Sequence, residues 1–343
     1  MSHMSRNAEE GQSIRAAWLH YVGGMTQAEV ATRLGIPGVK AHRLIARAQQ
    51  SGAIKVRVEG DIVECVALEN ALCGLYSLTM CQVVPDLHET GLPLTALGAA
   101  GATFLHAEID KASSTVIGIG NGRSLAAAVT AMSRIAAKDV RFVSLLGGLT
   151  RNYAANPFDV MHRLAEKTGA EAYAMPAPFF ANTPEDRAVI LAQRGVREVL
   201  AMADSASLMV VGIGAADIEG QLVSSRIVSP DDMAHVVALG GVGEMLGHFF
   251  DAAGAIVETP LSARILSMPA SALRDRRVVA IAGGEGKVAA LRSVLKSGLL
   301  SGLITDETTA RVLSIPPAMT DTAGDRRMAR SSVMSSRPVE ISP

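Results

Sequence analysis

The chain has 343 residues, room for two or three domains, and 49% of them are hydrophobic, so a sizeable core is available. Cys65, Cys73 and Cys81 are odd in number and form no C-x-x-C pair, which argues against a disulfide framework and against a zinc site. The net charge of −1 hides an asymmetry: residues 1–58 carry eight Lys or Arg against three Glu, +5, which leaves 24 basic and 30 acidic side chains, −6, in the rest. A basic head on an acidic body implies that only the head meets a polyanion.

Residues 12–21 place Ile14, Ala17, Trp18 and Tyr21 at helical spacing, and Gly23-Gly24 ends the run. Thr26 is a good N-cap, with Glu29 three residues on completing a capping box for a helix that Gly35 closes. Pro37 suits the first turn of the next helix, "VKAHRLIARAQQSG", which buries Ala41, Leu44, Ile45 and Ala48. Two short helices about a Gly-containing turn, the second basic, have the layout of a helix-turn-helix, and the alternating run at 53–63 suits a small wing. The candidate DNA contacts are Lys40, His42, Arg43 and Arg47 in the groove, with Thr26 and Gln27 near phosphates. A solvated basic face on a helical bundle is the plainer alternative.

Residues 59–82 read as a helical connector with Val63, Val66, Leu68, Leu72 and Leu75 as its apolar positions. Beyond it strand-like runs, "STVIGIG", "VRFVSLLGG", "AEAYAMPAP", "LMVVGIG", "RVVAIAGG" and "LSGLIT", alternate with helical stretches at 123–137, 157–168, 185–203, 231–250, 287–297 and 306–313. Few aromatics (3%) and many small aliphatic residues fit the same picture, a mostly parallel sheet covered on both faces. The tail at 316–343, rich in Pro, Ser, Thr and Arg, reads as disordered. No run is apolar enough to span a bilayer and no signal peptide is recognisable, so the expected location is the cytoplasm, away from membranes.

Four strands end in glycine-rich turns: Gly118-Ile119-Gly120-Asn121-Gly122, Gly147-Gly148, Gly212-Ile213-Gly214 and Gly283-Gly284-Glu285-Gly286-Lys287. In such sheets ligands bind at the carboxyl ends of the strands. The first turn lacks the G-x-G-x-x-G spacing of a dinucleotide site and the G-K-[ST] of a Walker loop, so no nucleotide cofactor is expected. What fits is a small anion held by Asn121, Gly122, Arg123 and Ser124 at a helix N-terminus.

These segments in order, "MTQAEVATRLGIPGVKAHRLIARAQQSGAI", "IGIGNGRSL", "LLGGL", "NPFDVMHRLAEKTGAEAYAMPAPFF", "VREVLAMADSASLMVVGIG", "GGVGEMLGHFFDAAG" and "VVAIAGGEGKVAALRSVLKSGLLSGLITDETTA", resemble the SorC-type sugar-binding transcriptional regulators over about residues 14–314. The resemblance implies a winged helix-turn-helix at 1–58 and an effector and oligomerisation domain at 83–315. That domain's Rossmann-like fold is related to ribose-5-phosphate isomerase and glucosamine-6-phosphate deaminase. It also implies double-stranded operator DNA and a phosphorylated sugar or polyol as partners, a homotetramer, and no cofactor or metal. Through "GGLTRNYAANPFDVMH" the subgroup that governs erythritol or polyol catabolism looks similar. The chain departs from the family pattern at Pro37-Gly38, His42 and Asn121, so the operator and the effector do not transfer with it.

The effector residues implied are Gly120, Asn121, Gly122, Arg123, Ser124, Gly147, Gly148, Arg151, Asn152, Gly212, Gly214, Asp217, Glu244, Asp251, Gly283, Gly284 and Lys287. Lys287 opens a helix, where a cation is unfavourable unless an anion is bound, and the resemblance makes it a phosphate ligand. The alternative is a sugar-phosphate isomerase or deaminase with an accessory head. Against it, the deaminase pattern G-x-G-x-D-G-H meets Gly212-Ile213-Gly214-Ala215-Ala216-Asp217-Ile218 with no histidine, so no catalytic residue is expected.

Overall fold

A computed structural model describes residues 3–51, 53, 63–111, 115–148 and 160–315. Three helices, α1 (His3–Tyr21), α2 (Gln27–Leu34) and α3 (Gly38–Gln50), form the head. Its core is Ala16, Leu19, Val30, Ala31, Ala41, Leu44 and Ile45. The capping box forms: the Glu29 N–H donates to the Thr26 hydroxyl, and the Glu29 carboxylate accepts from the Thr26 N–H and O–H at 2.7 and 2.8 Å. Gly35 ends α2 with φ +63°, the left-handed geometry that a bare backbone allows. Pro37 is the N-cap of α3 and so lies one place before the first turn. On α1 the buried side is Ser13, Ala16, Ala17 and Leu19, while Ile14, Trp18 and Tyr21 are exposed. Residues 54–62 of the expected wing and the tail from 316 lie outside the described residues.

The body follows the strand-helix pattern through α4 (Val63–Tyr76), β1 (Met80–Val84), α5 (Leu94–Lys111), β2 (Thr115–Ile119), α6 (Arg123–Ala131), β3 (Val140–Gly148), α7 (Val160–Thr168) and β4 (Glu171–Pro178). It continues with α8 (Pro184–Ala192), α9 (Arg194–Asp204), β5 (Leu208–Val211), β6 (Gly214–Ala215), α10 (Gln221–Ser224), α11 (Pro230–Ala238), β7 (Gly241–Met245) and β8 (His248–Asp251). The last elements are β9 (Val278–Ile281), α12 (Val288–Lys296), β10 (Gly302–Asp306) and α13 (Glu307–Ser314). Seven strands form one parallel sheet in the order β1-β10-β9-β5-β2-β3-β4. Successive strand residues feed opposite faces, as the period of two requires. Leu208 and Val210 join Leu105, Leu125 and Leu164 of α5, α6 and α7, while Met209 and Val211 join Leu72, Val199, Leu291 and Leu313 of α4, α9, α12 and α13.

The structure departs from the periodic reading in four places. Met80–Val84 is a strand paired along its length with Gly302–Asp306, and Cys65 and Leu72 of α4 belong to the body's core. The stretch at 185–203 is two helices, because Gln193 is extended with ψ 136°. The stretch at 123–137 stops at Ala131, where the Lys167 ammonium takes the Thr130 carbonyl at 2.8 Å. The largest departure is at 231–250: α11 stops at Ala238, Gly240 turns the chain with φ +89°, and β7 and β8 make an antiparallel hairpin. Leu246 (φ +54°) and Gly247 (φ +83°) form its two-residue turn, the left-handed pair that matches strand twist. With β6 the hairpin builds a second, three-stranded sheet.

Candidate functional site

The chain leaves β2 toward β3 and β4 on one side, whereas β5 leads to β9 and β10 on the other, so strand order reverses between β2 and β5. A crevice opens at the carboxyl ends of such a pair. The turn after β2 and the turn after β5 are nearly in contact: a Cβ on Gly212 would stand 2.5 Å from the Asn121 carbonyl oxygen. Gly122 (φ +137°, ψ 161°) is the N-cap of α6 and supplies no side-chain cap, so the first N–H groups of that helix face the crevice without one. Ser124, 3% exposed, has a hydroxyl with no hydrogen-bond partner.

Opposite stands Lys287, at the end of a single 3-10 turn (Glu285–Lys287) before α12. Its ammonium donates to the Ile213 carbonyl at 2.9 Å, which ties the β9 turn to the β5 turn. Glu244 on β7 pairs with Gly214 on β6, and one of its oxygens accepts the Gly247 N–H at 2.6 Å. Its other oxygen lies close over Gly214, where a Cβ would come within 2.7 Å of it. Burial pushes the Glu244 carboxyl up to about 7 against the opposing pull of the Gly247 N–H and Lys287. Burial, and then the Arg123 charge, push Lys287 down to about 8, with Glu244 opposing.

These groups line a cavity of about 310 Å³. Asn121, Gly122, Arg123, Ser124, Gly212, Gly214, Asp217, Glu244 and Lys287 are all on its wall. Bare N–H groups, an unpartnered hydroxyl and two cations, Arg123 and Lys287, suit an anion; the carboxylates and amides on the same wall suit hydroxyl groups. Among the described residues no cluster of His, Cys, Asp and Glu could hold a metal ion, and no helix is long and apolar enough to cross a membrane.

Six expected residues do not line the cavity. Gly120 packs against Val211 and Leu246, and Gly147 is pressed onto Pro178, whose carbonyl oxygen a Cβ would meet at 2.0 Å. Gly148 is paired with Pro178 in the sheet. Gly283 lies against the Asp306 carboxylate, and Gly284 gives its N–H to Asp306 and Thr309. Asp251 turns its own loop by accepting from the Ala253 and Ala255 N–H groups. Gly120, Gly147, Gly283 and Gly284 serve close packing, and Asp251 serves a turn. Arg151 and Asn152 lie outside the described residues.

Sequence reasoning missed the wall formed by Leu92, Phe179, Leu246, Gln221 and Ser225. The Gln221 amide donates to the Ser225 hydroxyl at 2.6 Å across the one turn of α10. No periodicity marks that segment; Gly220, whose N–H bonds the Asp217 carbonyl, is its sole local signal.

In the head, His42, Arg43 and Arg47 are exposed on α3 and Lys40 is half-buried there. The His42 Nδ1 lies 3.1 Å from the Gln27 Oε1, which joins two of the expected DNA contacts across α2 and α3. The Thr26 hydroxyl and N–H are already engaged by Glu29.

The chain matches the sugar-binding domain family, Sugar-bind, over residues 60–313. It is 58% identical over 307 residues, 90% of the chain and 97% of that protein, to the erythritol catabolism regulatory protein EryD of Brucella abortus (strain 2308). The transcriptional regulator LsrR of Escherichia coli (strain SMS-3-5 / SECEC) is 30% identical over 314 residues, 89% of the chain and 95% of that protein. In fold the chain is similar to the full-length sorbitol operon regulator SorC of Klebsiella pneumoniae, with a TM-score of 0.67 at 24% identity over 90% of the chain and 100% of that structure.

Proposed function

The chain belongs to the SorC-type family of sugar-binding transcriptional regulators, and from that premise we propose that a phosphorylated C4 polyol, held between the β2 and β5 turns, sets its affinity for operator DNA. The observation that carries this reading is the Ser124 hydroxyl, buried and unpartnered at the uncapped start of α6, with Lys287 on the same cavity. A phosphate accepts from that hydroxyl and from the α6 N–H groups, and it draws the Lys287 ammonium from the Ile213 carbonyl. Asn121, Asp217 and Glu244 read the polyol hydroxyls. EryD's name places that relative in erythritol catabolism, which is why a four-carbon chain is chosen. The isomerase or deaminase alternative has no support, since EryD and LsrR are both regulators. The family needs no cofactor, and the protein acts as a cytoplasmic homotetramer that reads two half-sites through paired heads.

Thermal unfolding with erythritol, erythritol phosphate and inorganic phosphate tests the reading. At 100 times its dissociation constant a ligand adds about 2.7 kcal/mol of stability, and erythritol phosphate is the one expected to do so. Equal stabilisation by unphosphorylated erythritol would remove the phosphate from the proposal. Ser124→Ala is expected to weaken erythritol phosphate about tenfold, the loss of one charge-assisted bond.

The pH dependence follows from the two buried groups. A phosphate monoester becomes a dianion near pH 6, so affinity rises through that range. Above about 7 Glu244 ionises, and above about 8 Lys287 loses its charge, each lowering anion affinity. Calorimetry from pH 6 to 9 is expected to show a maximum near 7 and a fall of up to about tenfold per pH unit above 8. Lys287→Met is expected to abolish that last limb. A fall of the same steepness in the variant would take Lys287 out of the site.

A further inference from the structure

The turn that ends in Lys287 is anchored by buried bonds that reach away from the cavity. The Gly284 N–H donates to the Asp306 carboxylate at 2.9 Å and to the Thr309 hydroxyl at 2.8 Å. The Thr309 hydroxyl donates to the same carboxylate oxygen at 2.7 Å, and the Thr309 N–H donates to the other at 2.9 Å. Asp306 is 4% exposed and Thr309 is fully buried. A Cβ on Gly283 would stand 2.0 Å from the carboxylate, so turn and carboxylate are in direct contact. Within the turn the Gly284 carbonyl accepts the Lys287 N–H at 2.9 Å. Asp306 therefore holds the Lys287 turn from behind.

Asp306 is also the N-cap of α13, which packs on α4. The Tyr76 hydroxyl at the end of α4 donates to the Leu313 carbonyl at 3.2 Å. Arg311 of α13 bonds Glu64 in the first turn of α4 and Glu307 on its own helix. Helix α4 is the first of the body after the head in chain order. Bonded groups thus run without a gap from Lys287 to the helix that follows the DNA-binding segment.

We infer that Asp306 and Thr309 form a coupling element, which positions the Lys287 turn and carries its displacement on effector binding into α13 and, through Arg311 and Glu64, into the start of α4. The inference rests on the effector reading proposed above and adds how occupancy reaches the head. An anion that draws Lys287 off the Ile213 carbonyl moves the turn. Gly284 cannot follow without moving the carboxylate that caps α13, because both of that carboxylate's oxygens are bonded in a buried network. Two arrangements of this network give the differential contacts that a coupled equilibrium requires.

Thr309→Val keeps the side chain's shape and removes its hydroxyl. Erythritol phosphate affinity by calorimetry, and affinity for a promoter fragment retained by the wild-type chain, are measured with and without the ligand. In the wild type the ligand is expected to change promoter affinity about 5- to 150-fold. In Thr309→Val ligand affinity stays within about threefold of wild type, the change in promoter affinity shrinks below about twofold, and Thr309→Ser restores it. Arg311→Ala, a surface change at the far end, is expected to uncouple in the same way. Wild-type responses in both variants would overturn the coupling role. So would a loss of ligand affinity beyond about tenfold in Thr309→Val, which would make the pair only a wall of the site. A wild-type chain that binds no erythritol phosphate refutes the functional reading itself, and the coupling falls with it.

Discussion

Replacing Lys40 and Arg43 together by alanine is expected to abolish specific promoter binding while the head stays folded. Neither side chain forms a hydrogen bond or ion pair among the described residues, and neither belongs to the core of Ala16, Leu19, Val30, Ala31, Ala41, Leu44 and Ile45. They lie three residues apart on α3, on the same side of the helix as Arg47. An arginine paired to a guanine edge is worth about 1–3 kcal/mol of discrimination. A lysine on a phosphate adds about one unit to the slope of affinity against salt. The double variant is therefore expected to bind about ten- to a few hundredfold more weakly. Its circular dichroism and its effector-induced thermal shift should match the wild type, because the cavity is built from β2, β5 and β9 turns. Promoter affinity that survived both changes would mean that α3 is not the reading helix.

The same geometry lowers the expectation for Thr26. Its hydroxyl and N–H complete a capping box, and Glu29, whose carboxyl the Thr26 N–H and O–H hold below the usual range, puts a negative charge beside it. A phosphate approaching there meets a carboxylate. Gln27, in contact with His42, is better placed to take part in a DNA contact.

Local chemistry was legible wherever a few adjacent residues decide the outcome. Thr26 and Glu29 announce a cap, Gly35 a helix end, and the apolar runs before each glycine turn a buried strand. Reading failed where a decision is made at a distance. "ALGGVGEMLGHFF" spaces Leu239, Val242, Leu246 and Phe249 almost as a helix would, yet Gly240 turns the chain out of α11 and Gly247 closes the hairpin turn, so the buried side packs elsewhere. Met80–Val84 is too short to show a period, and only its partner β10 makes it a strand. At the site the rule that glycine turns gather at one sheet edge found Asn121, Gly122, Ser124, Gly214 and Lys287. It could not separate a glycine beside the cavity from one beside a neighbouring backbone, as at Gly147 and Gly283. Leu92 and Phe179 come from distant loops with no signal of their own.

Gly122→Val is expected to leave folding and promoter binding intact while removing the response to effector. Space is not the obstacle: the nearest atom to a Cβ there is the Gly212 Cα at 3.7 Å. The backbone is the obstacle, because φ +137° with ψ 161° belongs to a region that only glycine occupies readily, and a side chain there costs of order 1–3 kcal/mol. A β-branched residue relieves that strain by rotating φ to negative values, which swings the peptide at the start of α6. The N–H groups of Arg123 and Ser124 then no longer converge on the place where the anion sits. Losing two charge-assisted bonds, each about 1.5–3 kcal/mol, lowers effector affinity at least a hundredfold. A body of this size, stable by about 5–15 kcal/mol, tolerates the strain. Gly212→Val is the contrasting control, since its Cβ would collide with the Asn121 carbonyl at 2.5 Å and break the contact between the two turns. It is expected to lower the melting temperature as well as the response. A Gly122→Val protein that answers erythritol phosphate as the wild type does would reduce the β2 turn to a tight corner and move the effector elsewhere.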